Sequence, residues 1–131
     1  MKLLADQQYL GIDWGEKRIG LALADAETCL ALPFKTVANL SEVLRIIKEE
    51  GIALIIIGSP QKMRGAAADN ILFLNFLKEL QAKSLLPVVS VDERLSSKAA
   101  DALSGDKKDK AGRDEVAAAI ILQNWLDSHS H

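Results

Sequence analysis

Apolar and polar positions alternate through the first part of the chain. Over residues 9–14, Leu10, Ile12 and Trp14 fall on one side and Tyr9, Gly11 and Asp13 on the other, the period of a strand. Residues 19–24 repeat the pattern, with Ile19, Leu21 and Leu23 opposed to Gly20, Ala22 and Ala24. A two-residue turn at Gly15-Glu16, glycine first as type II′ turns prefer, sets a register. Leu10 then faces Leu21, Ile12 faces Ile19, Gly11 faces Gly20 and Asp13 faces Arg18, so apolar meets apolar and small meets small. A third extended segment is expected over residues 29–37, where Pro33 indicates a sheet edge or a bulge.

The period then changes. Leu40, Val43, Leu44 and Ile47 recur at helical spacing, with Asn39 as N-cap, Glu42 three residues on, and Gly51 as the stop. Residues 52–57 form an unbroken, β-branched apolar run, the mark of a strand buried on both faces in a parallel arrangement. A loop with Gly58, Pro60 and Gly65 leads to a helix over about 69–83, and residues 87–92 read as a short strand. A short helix over 96–103 capped by Ser96, a polar Lys-rich loop over 105–112 and an apolar helix over about 114–126 complete the chain. Three strands followed by strand–helix alternation predict an α/β fold, a mixed five-stranded sheet flanked by helices. One domain spanning residues 1–131 is expected, with a disordered tail from about Ser128.

Composition narrows the class without naming a function. With 49% hydrophobic and 26% charged residues among 131, the chain can build one proper core. No apolar run reaches the roughly 18 residues that span a bilayer, and residues 1–6 lack the apolar length of a secretory signal. A lone Cys29 among apolar neighbours reads as a reduced core thiol, and a cytoplasmic location is expected. The net charge of −2 gives no global attraction to nucleic acid. Ten of the 16 Lys and Arg residues nevertheless fall in four short segments: Lys17 and Arg18; Lys62 and Arg64; Arg94 and Lys98; and Lys107, Lys108, Lys110 and Arg113. A fold that gathered them would give a local basic rim.

Three acids carry the candidate chemistry. Asp13 lies on a strand beside Gly11, Gly15 and Gly20, which reads as open space around one carboxylate; pairing with Arg18 opposite is the structural alternative. Glu93 follows a strand at its carboxyl end, where α/β sheets place their sites, although Asp92-Glu93-Arg94 also reads as a local ion pair. Asp114 opens the last helix, with Ala117, Ala118, Ile121 and Trp125 following on the same face. An N-cap role explains it equally well. If the three converge at one sheet edge, the cluster repels itself and needs cations. Two Mg²⁺ or Mn²⁺ ions about 3.5–4 Å apart would neutralise it and serve a phosphodiester displacement. Oxygen donors disfavour zinc, and no Cys/His cluster is present.

Four motifs resemble those of the YqgF (RuvX) family of pre-16S rRNA nucleases, also described as Holliday-junction resolvases. They are Gly11-Ile-Asp13-Trp-Gly15-Glu-Lys-Arg18-Ile-Gly20, Gly58-Ser-Pro60-Gln-Lys-Met-Arg-Gly65, Asp92-Glu93-Arg94-Leu-Ser96-Ser97 and Asp114-Glu-Val-Ala117-Ala118-Ala-Ile120-Ile-Leu122-Gln. They occur in the family's order from residue 11 to 123. The resemblance implies a ribonuclease H-like fold with catalytic and metal-binding acids at Asp13, Glu93 and Asp114. Ser96-Ser97 stand where the family usually has two threonines, Arg64 where an Asp is common, and Arg113 where an apolar residue is usual. Asp13 is expected to bridge both metals, with Glu93 and Asp114 holding one each. Lys17, Arg18, Arg94, Ser96, Lys107, Lys108 and Lys110 are the candidate substrate contacts. Only Tyr9, Trp14 and Phe34 lie outside helices as stacking aromatics, which favours a structured nucleic acid over a single strand.

The expected activity is metal-dependent phosphodiester cleavage in 5′-end processing of pre-16S ribosomal RNA during ribosome biogenesis. RNA is favoured over branched DNA, with pre-ribosomal particles as partners and a monomer or weak homodimer as the assembly. The alternatives are a Holliday-junction DNA resolvase, a non-catalytic nucleic-acid-binding ribosome-assembly or transcription factor, and an actin- or sugar-kinase-like phosphotransferase suggested by Gly11-Ile-Asp13-Trp-Gly15. The last class closes two domains around ATP, and 131 residues supply one.

Overall fold

A computed structural model of the chain describes residues 7–59, 67–92 and 110–129. Strands β1 (Gln8–Asp13), β2 (Ile19–Asp25) and β3 (Ala31–Val37) precede helix α1 (Leu40–Glu50) and strand β4 (Ile52–Ser59). Helix α2 (Ala67–Ser84), strand β5 (Val88–Asp92) and helix α3 (Lys110–His129) follow. The strands form one five-stranded sheet in the order β3-β2-β1-β4-β5. β2 runs antiparallel to β1 and to β3, while β1, β4 and β5 run parallel. The mixed sheet expected from the sequence is therefore present. The predicted short helix over 96–103 lies outside the described residues.

Local chemistry sets the boundaries. The Asn39 side chain accepts from the Glu42 backbone N–H at 3.1 Å, closing the N-terminus of α1. Gly51 ends that helix with φ 64°, a left-handed conformation in which its N–H reaches the Ile47 carbonyl. β3 forms the sheet edge, and its register against β2 shifts between Leu21 and Ala22, which pair with Lys35 and Pro33. The edge and the irregularity both agree with what Pro33 required.

The first hairpin departs from expectation. Leu10 pairs with Leu23, Ile12 with Leu21 and Asp13 with Gly20, two residues away from the register a Gly15-Glu16 turn would give. Residues 14–18 form the connection instead, with a Cβ at Gly15 coming within 2.6 Å of the Arg18 carbonyl oxygen. A slip of two keeps every side chain on its face, so the apolar pattern satisfied both registers equally.

The two faces pack differently. Leu10, Ile12, Leu21, Ile55 and Ile57 meet Val43, Ile46 and Ile47 of α1 and Phe73 and Leu80 of α2. Trp14 extends this core, its ring 5.6 Å from Phe73 and 6.3 Å from Phe76. On the opposite face Tyr9, Ala22, Ala24 and Ile56 meet Ala118, Ala119, Ile121, Leu122 and Leu126 of α3. Tyr9 and Trp14, two of the candidate stacking aromatics, are thus used for packing, Tyr9 edge-on to Trp125 at 6.3 Å.

Cys29 is not a core thiol. It occupies the β2–β3 turn with φ 55°, half-buried, its Sγ against the Ala26 carbonyl. The apolar neighbours that indicated burial, Leu30 and Leu32, are themselves exposed. α3 continues to His129, whose ring stacks on Trp125 at 4.4 Å, past the expected end of the helix.

Candidate active site

β1 is the central strand, and the chain leaves it on one side for β2 and returns on the other as β4. The carboxyl ends of the parallel strands are where open α/β sheets bind their ligands. Asp13 is the last residue of β1 and lies level with Gly58 of β4 on one side and Gly20 of β2 on the other. Gly58 in turn pairs with Val91, and Ser59 with Asp92, so β4 and β5 end beside it.

The glycines on this face hold a helix, not open space. A Cβ at Gly11 would lie 2.7 Å from the Leu122 Cβ and 2.8 Å from the Ala118 carbonyl oxygen. One at Gly20 would strike the backbone carbonyl of Asp114 and come within 2.9 Å of its Cβ. α3 therefore rests its backbone on the strands, which only glycine permits at these two positions. Cross-strand Cα partners are about 5 Å apart, so Asp114, seated on Gly20, shares one corner of the sheet with Asp13.

The N-cap explanation of Asp114 fails. α3 begins at Lys110, a full turn before Asp114, and its first turn contains no acidic residue. The predicted boundary was late, and the expected loop over 105–112 ends inside the helix, because 110–113 carry none of the apolar periodicity that marks a buried face. Ala117, Ala118 and Ile121 are buried as expected, which turns Asp114 toward the sheet.

Arg18 pairs with Asp114, its Nε 3.3 Å from Oδ2, with side-chain exposures of 45% and 25%. The expected alternative matched Arg18 to Asp13 across a tight turn, and the longer connection sends the guanidinium to the helix acid instead. Lys17 is exposed in the same connection. Neither Glu115, whose Oε2 accepts from Thr36 Oγ1 at 3.3 Å, nor Gln123 was singled out from sequence. Gln123 accepts from the Ala31 N–H at 2.8 Å and donates to the Cys29 carbonyl at 3.1 Å, tying α3 to β3. Such partners leave no periodic signal in a sequence.

Of the remaining expected site residues, Glu93, Arg94, Ser96, Lys107 and Lys108 lie outside the described residues, and Lys110 is described only as the first residue of α3. β5 delivers the chain to the site's end of the sheet at Asp92, the residue before Glu93. Among the described residues no three His, Cys, Asp or Glu side chains gather into a metal-binding group. Asp13 and Asp114 supply only carboxylate oxygens, a hard donor pair that suits Mg²⁺ or Mn²⁺. Among the described residues softer donors are remote: Cys29 follows the far end of β2, and His129 is at the far end of α3. Among the described residues no helix is long and apolar enough to cross a membrane.

Comparison with known proteins identifies the family and the fold. Residues 7–128 match the family model RuvX, described as Holliday junction resolvase. A protein of Maridesulfovibrio salexigens is 40% identical over 131 residues, covering 91% of this chain and 97% of that one. One of Chloroflexus aurantiacus is 35% identical over 135 residues, covering 94% and 88%. Both carry the name "Putative pre-16S rRNA nuclease". Among solved structures, Thermus thermophilus RuvC in complex with a Holliday junction substrate superposes with a TM-score of 0.62 at 14% identity, covering 93% of this chain and 95% of that one. That likeness identifies the fold as ribonuclease H-like.

Proposed function

The chain belongs to the RuvX family, and from that premise we propose that it is a divalent-metal-dependent nuclease acting on precursor 16S ribosomal RNA. The observation that carries the proposal is the seat of Asp114 on Gly20, the register partner of Asp13, at the carboxyl end of the central strand. Two acids about a hundred residues apart in sequence share the corner where the parallel strands end. Glu93, the residue after β5, is the third acid of the reading.

Asp13, Glu93 and Asp114 would hold the ions, which when bound supply charge neutralisation and an activated water for hydrolysis of a phosphodiester. Asp13, at the end of the central strand, would be a ligand shared by both ions. Glu93 and Asp114 would each hold one ion and orient the water. Lys17 and Arg18, in the connection after β1, meet the phosphate backbone, as do Arg94, Ser96, Lys107, Lys108 and Lys110. Tyr9 and Trp14 are committed to packing, which supports recognition of a folded RNA by shape and backbone. Pre-ribosomal particles are the natural carriers of such a substrate, and a monomer suffices to cut one strand.

A second reading, resolution of branched DNA, is favoured by the description of the matching family. The test offers purified protein a pre-16S leader RNA, a single-stranded RNA and a four-way DNA junction, each with Mg²⁺ or Mn²⁺. Cleavage of the leader RNA that disappears in Asp13→Asn and in Asp114→Asn is the expected result. Paired, symmetric incision of the junction with intact RNA would establish the second reading. Cleavage that persists in both variants would overturn the assignment of the acids.

A further inference from the structure

We propose that Arg18 is a counter-ion latch on the acid site. It holds Asp114 while no cation is bound, yields that oxygen to an arriving divalent cation, and is thereby released to the substrate's phosphate backbone. The inference rests on the reading of Asp114 as a cation ligand.

Three observations carry it. The guanidinium and the cation want the same atom, because Arg18 Nε approaches Asp114 Oδ2, an oxygen on the side of α3 that faces the sheet corner. A guanidinium and a metal ion on one carboxylate also repel each other, so each weakens the other. The pair is built to exchange. At 3.3 Å it is longer than the roughly 2.7–2.9 Å of a strong charge-assisted bond, and with Arg18 nearly half exposed it is screened by water. A buried, bidentate pair would lock the acid.

The backbone beneath Arg18 is closely packed, while its side chain is nearly half exposed. Its carbonyl packs against Gly15 so closely that a Cβ there would approach to 2.6 Å, and Ile19 immediately begins β2 as a buried strand residue. The side chain can therefore swing without disturbing Gly20 or the seat of Asp114. A guanidinium released at this corner suits a phosphodiester, which it can grip through two parallel N–H bonds. Arg18 is thus a positioning residue in the metal-free protein and a substrate contact afterwards.

Calorimetric titration with Mn²⁺ alone, without nucleic acid, tests the latch in the wild type, Arg18→Gln, Arg18→Lys, Asp114→Asn and the Arg18→Gln/Asp114→Asn double variant. Arg18→Gln is expected to bind Mn²⁺ about three- to ten-fold more tightly, the scale of a partly exposed ion pair with added repulsion. The gain should vanish in the Asp114→Asn background, the coupling a double-mutant cycle isolates. Arg18→Lys retains the charge and should bind Mn²⁺ close to wild type. In Ca²⁺, both Arg18 variants should bind a labelled RNA hairpin more weakly, and Arg18→Gln should lower the salt slope by about one. Equal Mn²⁺ affinity in wild type and Arg18→Gln would overturn the latch and leave the acid site standing. Equal Mn²⁺ binding by wild type and Asp114→Asn would overturn both.

Discussion

Gly20→Ala should damage catalysis more than folding, and the size of each effect follows from one contact. The added methyl would strike the carbonyl carbon and oxygen of Asp114, which are backbone atoms that cannot rotate aside, and lie 2.9 Å from its Cβ. Carbon atoms in ordinary contact are about 3.5–4.0 Å apart, so the first turns of α3 must retreat by roughly 1 Å. Overpacking of this kind costs about 1–3 kcal/mol. For a chain of 131 residues that lowers Tm by roughly 4–10 °C. The same retreat carries Asp114 away from Asp13, and misplacement by about 1 Å can cost on the order of 10²-fold in rate. Thermal melts and single-turnover Mg²⁺-dependent cleavage of the leader RNA read the two effects separately. Gly51→Ala is the matched control: φ is 64° there and nothing lies within 4 Å of the new methyl. It should cost about 1 kcal/mol through backbone strain alone and leave the rate unchanged. A Gly20→Ala protein with wild-type rate and melting temperature would refute the close seating of Asp114. So would a Gly51→Ala protein as slow as Gly20→Ala.

Three further variants probe the frame around the site. Asn39→Ala removes the acceptor of the Glu42 N–H and should destabilise the protein by about 1 kcal/mol in denaturant titration, with cleavage unaffected. Gln123→Leu strips partners from the Ala31 N–H and the Cys29 carbonyl, and should cost about 1–3 kcal/mol with faster amide exchange at Ala31. Asp13→Asn should abolish cleavage while shifting Tm by no more than a few degrees, because the substitution preserves shape and removes one charge from an acid cluster. A collapse of folding in that variant would show that Asp13 is structural.

The fold was legible where one periodicity dominated. Leu10, Ile12, Leu21, Ile55 and Ile57 were assigned to the core from alternation and β-branching, and all are fully buried. The helix over 40–50 was bounded by its cap and its glycine, each of which behaves as the chemistry requires. The hairpin register is not legible in the sequence, because parity cannot separate registers two residues apart: Leu10 and Ile12 find apolar partners either way. The start of α3 is hidden for the complementary reason, since Lys110, Ala111, Gly112 and Arg113 show no apolar stripe. The half-burial of Cys29 is hidden in the sequence, because a run of apolar neighbours signals burial only if the sheet face beyond them is covered, and Leu30 and Leu32 are exposed.

The longer connection and the earlier helix start together explain why Asp13 and Asp114 share one corner of the sheet. With the tight turn, Arg18 would face Asp13, giving a local ion pair that needs no helix. With α3 starting at Asp114, the acid would be a cap that needs no strand. The longer connection instead brings Gly20 beside Asp13, and the earlier start places Asp114 far enough along α3 to lie on Gly20. Gly11 and Gly20, on the same side of the sheet as Asp13, do not leave open space. They mark where a second backbone comes down on the sheet, and the backbone that arrives at Gly20 brings the second carboxylate with it. Convergence of the acids therefore depends on the absence of a side chain at residue 20 as much as on the acids themselves.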